Sequence, residues 1–169
     1  MLKHWTANEL AEELAKLTII CDTREQRNQH VTDFLDEKGV PRISRKLDCG
    51  DYSAAIDGRT LEKSVVIERK HGLDELCVNL AGDRDRFERE FLRAKANGIK
   101  VFLLIEDASW DQIYLGDYRS KLPPKSIIAS LMAWQVRFNV TVIFCAAANT
   151  PRIIYQVLYY AAREDLLNS

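Results

Sequence analysis

The chain has 169 residues, 47% of them hydrophobic and 29% charged, and this composition fits a globular protein rather than a disordered or membrane-spanning one. Its length is that of one domain of ordinary size, long enough to close a hydrophobic core. The formal net charge of −1 gives no support to a strongly basic nucleic-acid binder, although a local basic groove can exist on a neutral protein.

The four cysteines are scattered, without a C-x-x-C pair or an accompanying run of histidines. This spacing argues against a zinc site and against a dense disulfide framework, and it favours free thiols in a reducing cytosol. The N-terminus has no apolar segment of the signal-peptide type, and no stretch approaches the ~20 apolar residues of a membrane span. We therefore expect a soluble, cytoplasmic protein. The cysteines are Cys21, Cys49, Cys77 and Cys145.

The first half of the sequence predicts a short helix followed by strands and two further helices. Thr6-Ala7-Asn8-Glu9 has the residue types of a capping box, and Leu10 and Leu14 follow at helical spacing. Asp57-Gly58 is a hairpin signal between two stretches of high β propensity. The elements predicted after the first helix are strands at 17–21, 42–46, 52–56 and 64–70 and helices at 29–37 and 73–80.

The second half alternates helices with apolar strands. Lys100–Glu106 is a continuous apolar run, typical of a strand that is buried on both faces. Residues 107–122 show no clean period and are predicted to form a long loop. The remaining predicted elements are a helix at 84–96, a helix that Pro123-Pro124 opens and that runs to about residue 138, a strand at 140–145 and a helix at 151–163. The alternation predicts an α/β fold with a mixed central sheet, organised as a helical extension over residues 1–17 and one domain over 18–169.

Acidic residues and one lysine lie at the ends of several predicted strands. Because side chains alternate along a strand, Glu68 and Lys70 project from the same face while Arg69 points to the other. Asp51 directly precedes the strand that the hairpin joins to theirs, and Asp22 follows another central strand. Carboxylates can hold Mg²⁺, and a lysine can orient the attacking water or offset charge on phosphate oxygens. The pattern indicates metal-dependent phosphodiester hydrolysis.

Simpler interpretations of the same residues stay open. A Glu-x-Lys on a strand is usually a solvated ion pair. The helix at 84–96 carries Arg84, Arg86 and Arg89, which could follow a phosphate backbone, but acids are interleaved and i,i+4 pairing on a solvated face explains them as well. Trp110, Tyr114 and Tyr118 could stack on exposed bases, or they could pack against the core.

Several motifs together resemble a known family. They are CDTRE at 21–25, LDCGDY at 47–52, VVIERK at 65–70 followed by Asp74, and Arg86-Phe87. In this order and spacing the set strongly resembles the XPF-type nuclease domain. FLLIED at 102–107 and the helix and strand over 126–144 resemble later parts of that domain. The resemblance covers roughly residues 18–163.

The resemblance implies a role for each matching position. It makes Asp22, Asp51 and Glu68 metal-centre acids, and it makes Lys70 the catalytic lysine. It places Arg69 on a further catalytic position of the motif. The additional active-site motif positions are Glu25, Asp74 and Arg86. The candidate DNA-binding cations are Arg24, Arg84, Arg86 and Arg89.

The resemblance also implies a restriction-endonuclease-like fold, dependence on Mg²⁺ or Mn²⁺, and cleavage of branched or partly single-stranded DNA near flaps, forks or junctions, in repair or recombination. It implies a homodimer built through the C-terminal helices. The apolar residues expected to form that interface are Ile153, Ile154, Val157, Leu158 and Tyr159.

Many members of the family carry a tandem helix-hairpin-helix module, which this sequence lacks. A single-domain form is expected of a phage or prophage protein acting in a bacterial or phage-infected cytosol, where a separate DNA-binding partner could replace the module. Two alternatives stay open. The chain could be the non-catalytic DNA-binding subunit of a nuclease heterodimer, or it could be a restriction or recombination nuclease on the same fold.

Overall fold

The computed structural model describes residues 4–169, and it divides the chain into two compact units. The first unit is the chain up to Val66 together with Pro151–Ser169, and the second unit is Ile67–Thr150. The described residues form a mixture of helices and strands, as predicted. In chain order they are α1 (Ala7–Leu14), β1 (Leu17–Cys21), α2 (Gln29–Glu37), β2 (Arg42–Ser44), β3 (Tyr52–Ile56), β4 (Arg59–Thr60), β5 (Val65–Lys70), α3 (Leu73–Gly82), α4 (Arg84–Ala96), β6 (Lys100–Glu106), α5 (Trp110–Leu115), α6 (Pro124–Phe138), β7 (Thr141–Cys145) and α7 (Thr150–Leu167), with a short 3₁₀ helix at Ala147–Asn149.

In the first unit the strands follow the order β2-β1-β3-β5, and β4 lies beside β3. β1 pairs in parallel with β2 and antiparallel with β3, so the β-structure is mixed, as the sequence predicts. Ile19 and Ile20 of β1 and Leu35 of α2 are fully buried and form part of the core of this unit. The capping box of α1 is confirmed, because Thr6 N–H donates to Glu9 Oε2 at 2.9 Å and Glu9 N–H donates to Thr6 Oγ1 at 3.3 Å.

The hairpin after β3 differs from the prediction in its second strand. Asp57 and Gly58 both have positive φ angles, 48° and 80°, as a tight two-residue hairpin turn requires. Such a turn pairs the residues directly beside it, and Ile56 accordingly faces Arg59 in the short strand β4. β5 begins only at Val65, after a turn in which Val65 N–H donates to Leu61 C=O at 2.9 Å.

In the second unit the strand order is β5-β6-β7, and β6 pairs in parallel with β7. Leu103, Leu104 and Ile105 of β6 are fully buried, which confirms that this strand is covered on both faces. Helices α4 and α6 contribute an aromatic cluster to the same core. Its members are Phe87, Phe91, Trp134 and Phe138, whose adjacent ring centroids lie 5.2 to 6.2 Å apart.

The prediction of a long loop over 107–122 is wrong over six residues, which form α5. Ser109 caps this helix by accepting a hydrogen bond from Gln112 N–H, and Gly116 ends it in the left-handed conformation with φ of 70°. A helix of this length buries only Ile113, so it leaves no periodic pattern. Trp110 is half-buried and packs edge-on against the ring of Phe144 at 5.0 Å, whereas Tyr114 is 60% exposed and does not pack into the core.

The last helix is longer than predicted and faces its own unit. α7 continues to Leu167 instead of ending at Arg163. Ile154 and Leu158, which were expected to offer apolar surface to a second copy, are fully buried in the core. Ile153, Val157 and Tyr159 are half-buried. The homodimer stays a prediction. Of the five residues expected at its interface, Ile154 and Leu158 are not available, because they are buried within their own unit.

Two further sequence expectations can be compared with the described residues. All four cysteines are free thiols, and Cys21 and Cys77 are buried. No helix among residues 4–169 is both long and apolar enough to cross a membrane. The proposed extension over residues 1–17 lies partly outside the described residues. Its described part belongs to the first unit, where Trp5 Nε1 donates to Leu166 C=O at 2.9 Å.

Candidate active site

The residues predicted to form the site fall into two sets, one in each unit. Asp22, Arg24, Glu25 and Asp51 lie in the first unit. In the second unit lie Glu68, Arg69, Lys70, Asp74, Arg84, Arg86 and Arg89.

Asp22 is held in a dense hydrogen-bond network directly after β1. Its side chain is 1% exposed and forms a bidentate pair with Arg24, Nε to Oδ1 at 2.8 Å and Nη2 to Oδ2 at 3.1 Å. The backbone N–H groups of Arg24 and Leu47 also donate to it, at 2.8 and 2.6 Å. Each carboxylate oxygen therefore accepts two hydrogen bonds from its own unit, which favours a positioning role. That Asp22 binds metal stays a prediction.

The same network reaches the backbone of Asp51. Asp22 N–H donates to Asp51 C=O at 2.8 Å, and Arg24 Nη2 donates to Leu47 C=O at 3.0 Å. Gly50 precedes Asp51 with φ of 74°, a conformation that glycine adopts without strain. Residues 47–51 are thereby anchored at both ends to the turn after β1. Arg24, a predicted DNA-binding cation, keeps 64% of its side chain exposed while it binds Asp22.

The electrostatics of Asp22 lead to a prediction about acid stability. Burial alone would raise the pKa of this carboxyl, but hydrogen bonds from Arg24 and Leu47 outweigh burial and hold the pKa below its ordinary value. Because the pKa is lower in the folded protein, the Asp22 carboxylate stabilises the fold at pH values above about 3.9, the pKa of an Asp in the unfolded chain. This stabilisation is lost as the pH falls through the lower pKa of the folded protein. We expect Asp22→Asn to lower the free energy of unfolding by roughly 1.5–3 kcal/mol at pH 7, and the difference to shrink below about pH 4.

Urea unfolding across a pH series, in metal-free buffer, measures this difference. The matched control is Asp36→Asn, because Asp36 forms the same bidentate pair with Arg42 but on an exposed surface. Solvent screens that pair, so its loss should cost less. Equal losses in the two variants would contradict the role assigned to Asp22.

Glu68 and Lys70 are in direct contact at the end of β5. Lys70 Nζ donates to Glu68 Oε1 at 2.9 Å, as the same-face prediction requires. The two side chains are only 15% and 8% exposed, so this is not the solvated surface pair of the simpler interpretation. Glu75 of α3 adds a second carboxylate oxygen 3.7 Å from Nζ. The lysine ammonium is therefore held by acids from its own strand and from the next helix.

An aromatic ring completes the surroundings of Lys70. The ammonium lies 4.5 Å from the centroid of the Phe87 ring on α4, within the range of a cation–π contact. The guanidinium of Arg86, which is exposed, lies 5.8 Å from the same centroid. Phe87 thus brings two predicted site residues to one ring. The sequence placed Phe87 in the Arg86-Phe87 motif but assigned it no role in the site.

Arg69 points away from that pair and is buried. Its side chain is fully covered, and Nη1 donates to Oε1 of Glu106, at the end of β6, at 3.1 Å. Nδ1 of His71 lies 3.9 Å from the other oxygen of Glu106. This geometry favours a role for Arg69 in fixing β5 to β6 over direct contact with a substrate. Glu106 is a site-supporting residue that sequence reasoning missed.

The other predicted residues of the second unit lie at helix starts and on the α4 surface. Asp74 is exposed at the start of α3, and its Oδ1 accepts from Arg119 N–H at 3.0 Å. Arg84 pairs with Glu88 at 3.1 Å, which bears out the i,i+4 interpretation for that arginine. Arg89 is exposed and lines a groove that also contains Asp85.

The residues can be judged for their fit to a divalent metal ion. Among residues 4–169, no group of three or more His, Cys, Asp or Glu side chains is arranged to hold an ion. Mg²⁺ typically takes one or two carboxylates together with waters and substrate phosphates, so such a group is not required. Asp51 and Glu68 are half-buried carboxylates of the right chemistry. Their carboxylate oxygens are of the kind that Mg²⁺ binds, so the donor set fits in kind.

The sequence matches a known family, and the structure is similar to solved structures of the same kind of fold. The ERCC4 domain family matches residues 21–156. The structure resembles XPF from Aeropyrum pernix with a TM-score of 0.66 and 22% identity, over 86% of this chain and 65% of that one. It resembles XPF from Aeropyrum pernix in complex with DNA with a TM-score of 0.64 and 21% identity, over 88% of this chain and 66% of that one. This chain therefore spans just under two thirds of those proteins. No curated protein sequence matches it.

Proposed function

Because this chain belongs to the ERCC4 domain family, we propose that it is a metal-dependent DNA endonuclease that cuts phosphodiester bonds near branch points. The observation that supports this most is the nearly buried ion pair of Lys70 with Glu68, 2.9 Å long, at the end of β5. Water-excluded charges act more strongly on a reacting phosphate than solvated ones. Lys70 belongs to the family motif and is held against Glu68 away from solvent. This arrangement favours an active enzyme over a non-catalytic subunit.

The residues would divide the chemistry as follows. Asp51 and Glu68 would supply metal ligands, and the metal, when bound, supplies polarisation of the phosphate and a lowered pKa for bound water. Lys70 would offset charge on the phosphate oxygens or orient the attacking water. Asp22 would hold the 47–51 segment through the hydrogen bond from its N–H to Asp51 C=O. Arg69 would fix the strand that carries Glu68 and Lys70 through Glu106.

The substrate is proposed to be branched or partly single-stranded DNA. One similar structure is of a protein in complex with DNA, and this supports DNA as the substrate class here. Exposed cations of α4, among them Arg86 and Arg89, could contact phosphates. Mg²⁺ or Mn²⁺ dependence, homodimerisation and a role in repair or recombination belong to the same proposal.

A substrate panel tests the proposal. Flap, fork, four-way junction and linear duplex DNA, each end-labelled, are incubated with the protein in Mg²⁺, in Mn²⁺ or in chelator. We expect nicking of at least one branched substrate to exceed that of linear duplex by about tenfold or more, equivalent to 1.4 kcal/mol of discrimination. Cleavage in chelator would overturn the metal mechanism. A preference for linear ends would instead favour a recombination-type nuclease.

A further inference from the structure

A groove in the first unit combines cations with aromatic rings. It lies between α2 and α7, has a volume of about 350 Å³, and its lining contains no carboxylate. The residues that line it are Phe34, Lys38, Val40, Arg152, Tyr155 and Gln156. None of them belongs to the proposed cutting centre, so the groove has no role in the function described so far.

The two cations of this groove have no anionic partner among the residues that the structure describes. Lys38, directly after α2, and Arg152, in the first turn of α7, are exposed, and neither makes an ion pair with any residue in the 4–169 range. In contrast, Arg42, Arg45, Arg59 and Arg84 all pair with carboxylates. Two unpaired cations beside one groove, on a protein of net charge −1, form a local site for an anion.

Aromatic rings accompany these cations. Phe34 and Tyr155 line the groove, and Lys38 Nζ lies 5.9 Å from the Phe34 ring centroid. Tyr155 is followed along α7 by Tyr159, with centroids 5.8 Å apart, and Tyr159 by Tyr160 at 5.4 Å. Burial raises the pKa of the Tyr155 hydroxyl, which disfavours the ionised form that would repel an anion. Of these three tyrosines, Tyr155 lines the groove itself.

A ligand that matches both features carries phosphates and exposed planar rings. In single-stranded DNA the bases offer their faces for stacking, whereas in duplex DNA they are stacked on one another. We propose that the groove between α2 and α7 binds the single-stranded arm of the DNA substrate, with Lys38 and Arg152 at phosphates and Tyr155 against a base. The inference rests on the proposed function for the identity of the substrate, but the groove can be tested without cleavage.

The test measures binding of the intact chain, in chelator, to a labelled single strand of about 15 nucleotides by fluorescence anisotropy. We expect Lys38→Gln and Arg152→Gln each to reduce the slope of log affinity against log salt by about 0.7, the value for one lost phosphate contact. The control is Lys125→Gln, because Lys125 is an exposed lysine of the second unit that likewise makes no ion pair within residues 4–169. It should leave the slope unchanged.

A second pair of measurements isolates stacking. A strand of the same length without bases should bind the unaltered protein roughly tenfold more weakly than the normal strand. Tyr155→Leu should weaken binding of the normal strand by a similar factor, so that the variant binds the two strands with equal affinity. It should leave the slope of log affinity against log salt unchanged. Thermal unfolding of every variant checks that the fold is retained.

The outcomes separate the two proposals. If the groove variants bind single strands as Lys125→Gln does, the groove assignment is wrong, whatever the protein cuts. If the groove variants lose the same factor of affinity for duplex DNA as for single-stranded DNA, the assignment is also overturned. If the groove variants behave as expected but no DNA is cleaved in any metal, the groove stands and the nuclease proposal fails.

Discussion

Lys70→Ala lowers the maximal rate of DNA nicking by roughly two to three orders of magnitude, the usual cost of removing a positioned charge from a transition state. The ammonium is nearly buried, lies 2.9 Å from Glu68 and 4.5 Å from the Phe87 ring centroid, and no other lysine among the described residues has such surroundings. A solvent cation cannot replace a group held in that way. Single-turnover cleavage of the preferred branched substrate measures the loss.

Titration with Mn²⁺ distinguishes this lysine from the proposed metal ligands. Asp51→Asn and Glu68→Gln should move the midpoint of the metal titration to higher concentration and regain part of their activity there. Lys70→Ala should keep the midpoint and lose the maximal rate. Lys125→Ala, on the exposed surface of α6, is the control and should cut normally. Normal cleavage by Lys70→Ala or Asp51→Asn would place the cutting centre elsewhere.

The second large effect is on stability, at the buried pair of Arg69 and Glu106. Both side chains are at most 5% exposed, so removing one leaves the other charged, buried and without that partner. We expect Arg69→Met to lower the free energy of unfolding by about 3–5 kcal/mol, measured by urea denaturation at pH 7. Glu106→Gln should cost a similar amount, because the guanidinium then lacks its carboxylate.

The double variant Arg69→Met/Glu106→Gln shows whether the two losses share one cause. Residues in contact are not additive, so the double loss should fall well below the sum of the single losses. Arg84→Met provides the control, since its pair with Glu88 is exposed and contributes about 0.5 kcal/mol or less. A loss under about 1 kcal/mol for Arg69→Met would show that the pair does not hold β5 to β6.

The regular elements were predictable because their signals are strong and local. The ranges predicted for β1, α2, β3, α4 and β6 agree with the structure at both ends. An apolar run identifies β6, and consecutive prolines mark the start of α6. The end of α7 was missed because Arg163, Glu164 and Asp165 are charged. A helical pattern nevertheless continues through Leu158, Ala162 and Leu166, all buried, and could have revealed it.

The site was less predictable because its decisive contacts join distant residues. The same-face pair of Glu68 and Lys70 follows from strand geometry alone. The burial of Arg69 against Glu106 does not, because 37 residues separate them and a sequence does not specify which charges pair. The hydrogen bond from Leu47 N–H to Asp22 likewise depends on a backbone group, which carries no residue-specific signal.

The division of the chain into units has a consequence for the order of folding. The second unit is one continuous segment, whereas the first unit needs β1 and β3 from the beginning of the sequence and α7 from its end. Contacts such as Trp5 with Leu166 join residues 161 positions apart and form slowly, because a long loop must close first. During synthesis the unit that carries Lys70 is complete on the nascent chain before α7 has been translated. The strands that precede it gain the packing of α7 only at the end of synthesis, and apolar surface that is exposed in that interval favours aggregation.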